Sequence, residues 1–469
     1  MIRQLIVARA DDFLFLESKR KEDPEQLFIQ VAQKLSELLG GFNKLEVLGV
    51  PSLDWEVQLT QEVPEKQKLP SPDLIVISVQ VNDLQSLGEF RKAVEDANDN
   101  RSDTPPFPGV GADLSLAESE YFCPTNVDQI LFGDRSGAAE LTRSAVLKLR
   151  GLTGKGVNIV VIDEGFDAAM VRHFGGGLIY NPLTQPLTVP PGSTKRGHGL
   201  MLVRNILDAA PDATFYDVPL IPPRISNVTG FIAGALGAFT QLWLMIHFLR
   251  RFGIPPWNGP WILVNAWAIF NRATEQPPGD YTENPHHPLN RIIDRMVDDP
   301  MDFVFAAGNC GQFCPDRRCG KRDVGPGTSI YGANSHARVL TTGAVRTDAR
   351  WAGSSSEGPG QIRLFREKPD LCAPSFFREI GDASLGNLSR PFVGDTGTPY
   401  VASTGTSAAC GLTAGIVAAI RSGWDQRAVT PDRLRHLLNK HARKTEGNAW
   451  NERLGNGIID VEATLSALP

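Results

Sequence analysis

An α/β fold, a mostly parallel sheet with helices on both faces preceded by a small α+β N-terminal domain, is what this 469-residue sequence predicts. Three observations carry it. Short apolar runs at residues 158–162, 214–218, 262–266, 303–307 and 339–345 alternate with long helical patterns, the order that builds a parallel sheet through crossover helices. Residues 1–100 read instead as strand, helix, strand, strand, strand, helix. Between the two, residues 96–113 spell DANDNRSDTPPFPGVGAD, rich in the Asp, Asn, Pro and Gly of an exposed linker. The division that follows is an N-terminal domain over 1–100, a linker over 101–129 and a larger domain over 130–469.

In the N-terminal domain the strands fall at 3–8, 44–50, 55–60 and 73–81. Asp23 supplies an N-cap, Pro24 a first-turn proline and Gln26 a capping-box partner for the first helix. Leu27, Phe28, Val31, Leu35, Leu38 and Leu39 then form one apolar stripe that ends at Gly40 and Gly41, so this helix covers a sheet. A second helix carries Leu84, Leu87, Phe90 and Val94 on one face. In the larger domain, Pro/Gly-rich stretches at 181–197, 272–288 and 311–329 interrupt the strand-helix order as surface loops.

Composition narrows the partners. With 42% hydrophobic and 21% charged residues the chain is that of an ordinary globular protein, not a disordered one. The net charge of -6 and the lack of any long Lys/Arg block argue against nucleic acid or an anionic membrane as main partner. At the N-terminus acidic residues interrupt the apolar run before it reaches the length of a signal sequence, which points to the cytoplasm. Six cysteines are too few for a disulfide-built scaffold.

Four segments can carry chemistry. The run VNIVVID ends at Asp163, a carboxylate at the C-terminal end of a buried strand, where open α/β sheets place their sites. Gly197-His198-Gly199 opens an amphipathic helix; its dipole disfavours an imidazolium there unless an anion such as Asp163 compensates. FVFAAGNCG stops in a glycine turn before Asn309, whose amide can donate where negative charge develops. Gly405-Thr406-Ser407 starts a helix of small residues, so Ser407 has a backbone N–H among the unsatisfied donors of a first turn. Taken singly, each has a plain structural use: a turn cap, a helix-start residue, a turn Asn, an N-cap serine. Together, in the order Asp, His, Asn, Ser, each at an element end, they are far more specific.

VVIDEGFD around Asp163, GHG around His198, AAGN ending at Asn309 and GTSAA around Ser407 resemble the motifs of the subtilisin-like serine peptidases. KPDLCAP at 368–374, GLTGKGVNIVVID and VLTTGAV extend the resemblance over about residues 130–465. It implies a serine endopeptidase acting on a protein or peptide, with Ser407 as nucleophile, His198 as general base, Asp163 orienting the imidazole, Asn309 in the oxyanion hole, and no cofactor or catalytic metal. An α/β-hydrolase esterase is excluded, because the glycine of G-x-S-x-G is missing after Ser407 and the chain order differs.

Departures from the family pattern matter too. The segments expected to pair with substrate, Ile221-Pro222-Pro223-Arg224 and Asn265-Ala266-Trp267, lack the usual small hydrogen-bonding residues, and proline cannot donate a backbone hydrogen bond. Trp267 is expected to narrow the cleft and make the peptidase selective. The N-terminal domain resembles the family's inhibitory chaperone domains and is read as either a retained regulatory, partner-binding module or a propeptide. Cys310, Cys314 and Cys319 follow Asn309 so closely that a zinc site, a local disulfide or free thiols all remain open. Cys372 and Cys410 read as small buried residues. Residues 228–249 are apolar over a length that could span a bilayer, but a span there would place His198 opposite Asn309 and Ser407, so a buried helix is expected. A regulated endopeptidase and a catalytically dormant peptide- or partner-binding protein are the two function classes that remain.

Overall fold

The computed structural model describes residues 1–469 except 19–23, 52–54, 60–72, 102, 118–131, 181–188, 196, 222–226, 229, 254–256, 381–391, 394–398, 445–446 and 448. The N-cap Asp23 and the Pro222-Pro223-Arg224 segment therefore lie outside the described residues.

In chain order the strands are β1 (Ile2–Arg9), β2 (Leu45–Gly49), β3 (Trp55–Leu59), β4 (Leu74–Val81), β5 (Gly109–Ala112), β6 (Leu116–Ala117), β7 (Asn158–Asp163), β8 (His173–Tyr180) and β9 (Thr214–Pro219). There follow β10 (Asn227–Val228), β11 (Trp261–Asn265), β12 (Asp302–Ala306), β13 (Leu340–Val345) and β14 (Leu371–Pro374). A small antiparallel sheet of β15 (Phe377–Ile380), β16 (Phe392–Val393) and β17 (Pro399–Ser403) precedes the helix Gly405–Arg421.

The main sheet runs β14-β13-β12-β11-β7-β9-β8-β3. Every neighbouring pair is parallel except β3 with β8. All five strands expected in the larger domain are in it. The strand order reverses at β7, which is flanked by β9 on one side and β11 on the other. A crevice therefore opens beyond its C-terminal end, at Asp163.

Side chains alternate between two cores, as a sheet buried on both faces requires. Ile159 and Val161 of β7 meet Val264, Val304 and the helices His198–Leu207 and Gly405–Arg421. Val160 and Ile162 point the other way, towards the helices Phe231–Arg251 and Pro288–Asp298. The helix Phe231–Arg251 is long and apolar enough to cross a membrane, yet 72% of its most apolar window is buried inside the protein. It serves as the layer between the two sheets.

The N-terminal sheet, β2-β4-β1-β5, is antiparallel throughout. Ile6, Ile77 and Val79 face the helices Pro24–Leu38 and Leu84–Asp99, where Val31, Leu35, Phe90 and Val94 are buried. Leu5 and Val76 share the opposite face with the helix Phe231–Arg251. Two features differ from the simple two-domain reading. Strand β3 leaves this sheet and extends the edge of the main one, and β5, inside the stretch read as linker, pairs with β1.

Polar ties reinforce that contact. Asp113 accepts from Ser78 Oγ at 2.7 Å and from the Ala233 N–H at 3.1 Å, capping the helix Phe231–Arg251 from outside. Arg91 pairs with Asp280 at 2.9 Å. His287 is fully buried; its Nδ1 takes the Leu289 N–H at 3.2 Å and its Nε2 lies 3.2 Å from the Ala112 carbonyl. Both contacts suit a neutral ring, and burial lowers its pKa to about 4.

Candidate active site

Asp163 is fully buried at the end of β7. His198 Nδ1 lies 2.9 Å from Asp163 Oδ1 and 3.0 Å from Oδ2. A carboxylate only accepts, so Nδ1 carries the proton and Nε2 is the basic end of the ring. The Glu164 N–H donates to Asp163 Oδ1 at 2.9 Å, and Glu164 Oε2 accepts the backbone N–H of His198 at 3.0 Å. Burial alone would lower the pKa of His198. The charge and hydrogen bond of Asp163, with the charge of Glu164, outweigh it and a smaller opposing effect of Arg318, so the pKa is raised.

The His198 helix is brought close by glycines. A Cβ on Gly199 would lie 2.3 Å from the Gly165 carbonyl oxygen, so only glycine lets the helix start press against the turn after Asp163. Further along, a Cβ on Gly415 would lie 2.6 Å from the Ile206 carbonyl oxygen and one on Gly411 3.0 Å from Asn205 Cβ. Those two glycines are one turn apart and seat the helix Gly405–Arg421 directly on the helix His198–Leu207.

Asn309 follows β12 through Gly308, whose φ of +100° an L side chain rarely adopts. Its side-chain Oδ1 accepts from the Thr406 N–H at 3.0 Å and the Thr406 hydroxyl at 3.1 Å. The Thr406 hydroxyl in turn accepts the Gly308 N–H at 3.1 Å. The amide oxygen is thus committed, and its nitrogen is the donating end. Ser407, the next residue, is buried near the start of its helix. Its hydroxyl donates to the Ala266 carbonyl at 3.4 Å, and among the described residues no hydrogen bond joins it to the His198 imidazole.

Of the three residues expected along the substrate, Ala266 presents its carbonyl to Ser407. Asn265 and Trp267 do not face the cleft. They share the opposite face, as residues two apart in extended chain do, and Trp267 Nε1 donates to Asn265 Oδ1 at 3.2 Å. The Trp267 ring packs edge-on against Phe231 and Phe305 with 3% of its surface exposed. The expectation that it narrows the cleft is corrected accordingly: the indole fills the core beneath the strand end.

Cys310 and Cys319 form a disulfide, and Cys314 is a free thiol. The bridge closes the loop that leaves Asn309. Within it the Asp316 N–H donates to the Asn309 carbonyl at 2.8 Å, and Arg318 pairs with Asp316 while lying 3.8 Å over the Phe270 ring. Cys372 and Cys410 are buried, and burial pushes both thiols far up, away from any nucleophilic role. No group of His, Cys, Asp and Glu among the described residues could hold a metal ion.

A reversing parallel sheet with these helices is the fold of a subtilisin-like protein. The comparisons agree. Residues 256–457 match the family model described as the subtilase family, and the resemblance to that family is borne out. The match takes in Asn309 and Ser407, whereas Asp163 and His198 lie before it. Fervidolysin from Fervidobacterium pennivorans, a keratinolytic enzyme related to subtilisin, superposes with a TM-score of 0.55 at 15% identity, covering 100% of this chain and 61% of that one. MycP1 from Mycobacterium smegmatis gives 0.49 at 19% identity, covering 75% of this chain and 90% of that one. MycP1 from the ESX-1 type VII secretion system gives 0.49 at 20%, covering 75% and 91%. No curated protein matches the chain. Family match and fold together support a serine peptidase.

Proposed function

We propose that the chain is an endopeptidase that cleaves peptide bonds through an acyl-enzyme on Ser407. The observation that carries this is the buried Asp163 carboxylate bonded at 2.9 and 3.0 Å to Nδ1 of His198. The His198 helix packs by glycine contact against the helix that bears Ser407. In the proposed cycle Ser407 exchanges its bond to the Ala266 carbonyl for one to His198 Nε2 and attacks the scissile carbonyl carbon. The imidazole takes the hydroxyl proton and the carbonyl oxygen gains the electron pair. Asn309 and the Ser407 backbone N–H donate to that oxyanion. Collapse expels the amine, which leaves with the proton from His198. Water then repeats the sequence on the ester and frees the acid.

A fluorophosphonate tests the reading. Labelling that is present in the wild type and lost in Ser407→Ala supports it; labelling that survives the substitution refutes it. The second reading, a dormant peptide-binding protein, is favoured by the Ser407 hydroxyl being bonded to Ala266. That reading predicts no label in either protein together with saturable peptide binding.

The N-terminal domain is proposed as a retained regulatory or partner-binding module. Strand β3 within the main sheet and the buried Asp113 and His287 contacts support this over a segment that is shed. Co-elution of the two parts after cleavage of an inserted protease site in residues 118–131 tests it. Two compartments are proposed for test: the cytoplasm, where thiols stay reduced, and an oxidising one, where a disulfide such as Cys310–Cys319 persists. Thiol trapping in intact cells decides between them.

A further inference from the structure

We infer that Glu164 is a second carboxylate of the site, a positioning residue that holds the backbone of His198 while Asp163 holds its ring. The inference rests on the reading of His198 as general base.

Adjacent in sequence, the two carboxylates act on different parts of one residue. Asp163 takes imidazole Nδ1, and Glu164 Oε2 takes the backbone N–H of the first residue in the helix His198–Leu207. That N–H is one of the donors a helix start leaves unpaired. Gly197, at the N-cap, has no side chain to cap any donor of the first turn, and the N1 donor is taken by Glu164 at the end of β7. Glu164 is only 4% exposed, and it is held in turn: Thr194 Oγ donates to its carbonyl at 3.3 Å, and Gly199 presses on the next turn residue, Gly165.

A ring bonded only through Nδ1 could keep that bond while its helix slid or rolled. A second bond from the same strand end to the main chain removes that freedom, so Cα and ring are fixed to β7 together. Charge follows from the same contact. Among the described residues, the charged groups that act on the His198 ring are Asp163 and Glu164, which favour the imidazolium, and Arg318, which opposes it. The buried carboxyl of Asp217 is in turn close enough to Asp163 to be affected by its charge. Glu164 therefore has two separable effects, an anchoring bond and a negative charge.

Glu164→Gln keeps an oxygen acceptor for the His198 N–H and removes the charge; Glu164→Ala removes both. The His198 titration is followed by imidazole NMR in a Ser407→Ala background, which needs no turnover. The pH dependence of kcat/KM on a peptide substrate is measured with Ser407 present. We expect the His198 midpoint to fall by on the order of half a pH unit in both Glu164 variants, with the acid limb of kcat/KM moving by the same amount. We also expect Glu164→Ala to lose about tenfold or more in kcat at the pH plateau, and Glu164→Gln to recover most of that loss, with KM little changed. A His198 midpoint in Glu164→Gln equal to that of wild type, or a Glu164→Ala plateau equal to that of Glu164→Gln, overturns the inference. Failure of the underlying peptidase reading shows separately, as Ser407→Ala cleaving peptide at the wild-type rate.

Discussion

Thr406 grips the side-chain oxygen of Asn309 twice, through its own N–H at 3.0 Å and its hydroxyl at 3.1 Å. The amide nitrogen is thereby aimed by the residue that immediately precedes Ser407, so the proposed donor is fixed to the helix start that bears the proposed nucleophile. We expect Asn309→Ala to lower kcat by about 10²- to 10³-fold with little change in KM, because the bond matters only once the oxyanion forms. Thr406→Val keeps the N–H contact and loses the hydroxyl one, and should cost about tenfold. Steady-state kinetics on one peptide check both. Equal kcat for Asn309→Ala and wild type would remove Asn309 from the chemistry.

Reduction of the Cys310–Cys319 bridge should act on the same group from the other side. The bridge closes a loop of separation 9 whose Asp316 N–H holds the Asn309 carbonyl. Opening it gives the unfolded chain more freedom and loosens the loop in the folded one. Cys319→Ser is expected to cost about 2–3 kcal/mol of stability, read from denaturant midpoints. It should also lower kcat, and dithiothreitol should do the same to wild type but not to the variant. Cys314→Ser serves as the control and should leave both quantities where they were.

Much of this arrangement was legible in the sequence because it is written locally. The strands at 158–162 and 303–307 and the glycine turns before Asn309 and Ser407 announce themselves through apolar runs and φ-permissive residues. What escaped depends on neighbours distant in the chain. Strand β8 reads HFGGGLIY, which looks like a turn. A Cβ on Gly175 would lie 2.3 Å from the Tyr216 ring and one on Gly177 1.9 Å from the Asp217 carbonyl oxygen, so the glycines are there for close strand packing. Strand β3 was visible as a strand, but not its partner, since pairing is a tertiary choice. Trp267 escapes local reading because an indole beside a cleft residue looks like a cleft residue; its alternation with Ala266 is the signal that places it on the other face. Glu164 stands within the Asp163 motif with nothing local to mark a role, and only the folded chain brings it to a backbone N–H 34 residues away.

The glycines at 411 and 415 test how tightly the helices that bear His198 and Ser407 must meet. Gly415→Ala puts a methyl where the Ile206 carbonyl oxygen is 2.6 Å away, on backbone that cannot swing aside as a side chain would. The helices must separate. Overpacking of this kind costs about 1–3 kcal/mol, and it should lower the denaturation midpoint although alanine is the better helix former. Because the shift moves the Ser407 helix against the His198 helix, fluorophosphonate labelling should slow as well. Gly447→Ala is a matched control in one respect: no atom lies within 4 Å of its added methyl, although its φ of +60° carries a backbone cost. Its labelling rate should equal that of wild type.

Asp217 should make the protein less stable as pH rises from about 4 to about 7. Its carboxyl is fully buried on β9; Oδ2 accepts the Gly192 N–H at 2.8 Å and the Phe166 N–H at 3.3 Å, while Oδ1 has no hydrogen-bond partner among the described residues. Burial pushes its pKa up to about 7, the nearby Asp163 charge adds to the rise, and the two N–H donors only partly offset it. In the unfolded chain the group titrates near its ordinary value of 3.8, so between there and about 7 the native state holds a proton that the unfolded state has lost. The stabilising contribution is thus complete below about pH 4 and disappears as pH rises through about 7, with an upper size on the order of 4 kcal/mol. In Asp217→Asn this term is absent at every pH. The stability of wild type minus that of Asp217→Asn, from urea melts at pH 5, 6, 7 and 8, should therefore fall from pH 5 to 7 and level off by pH 8. A flat difference would show that Asp217 is ionised throughout and stabilised by something other than its two backbone donors.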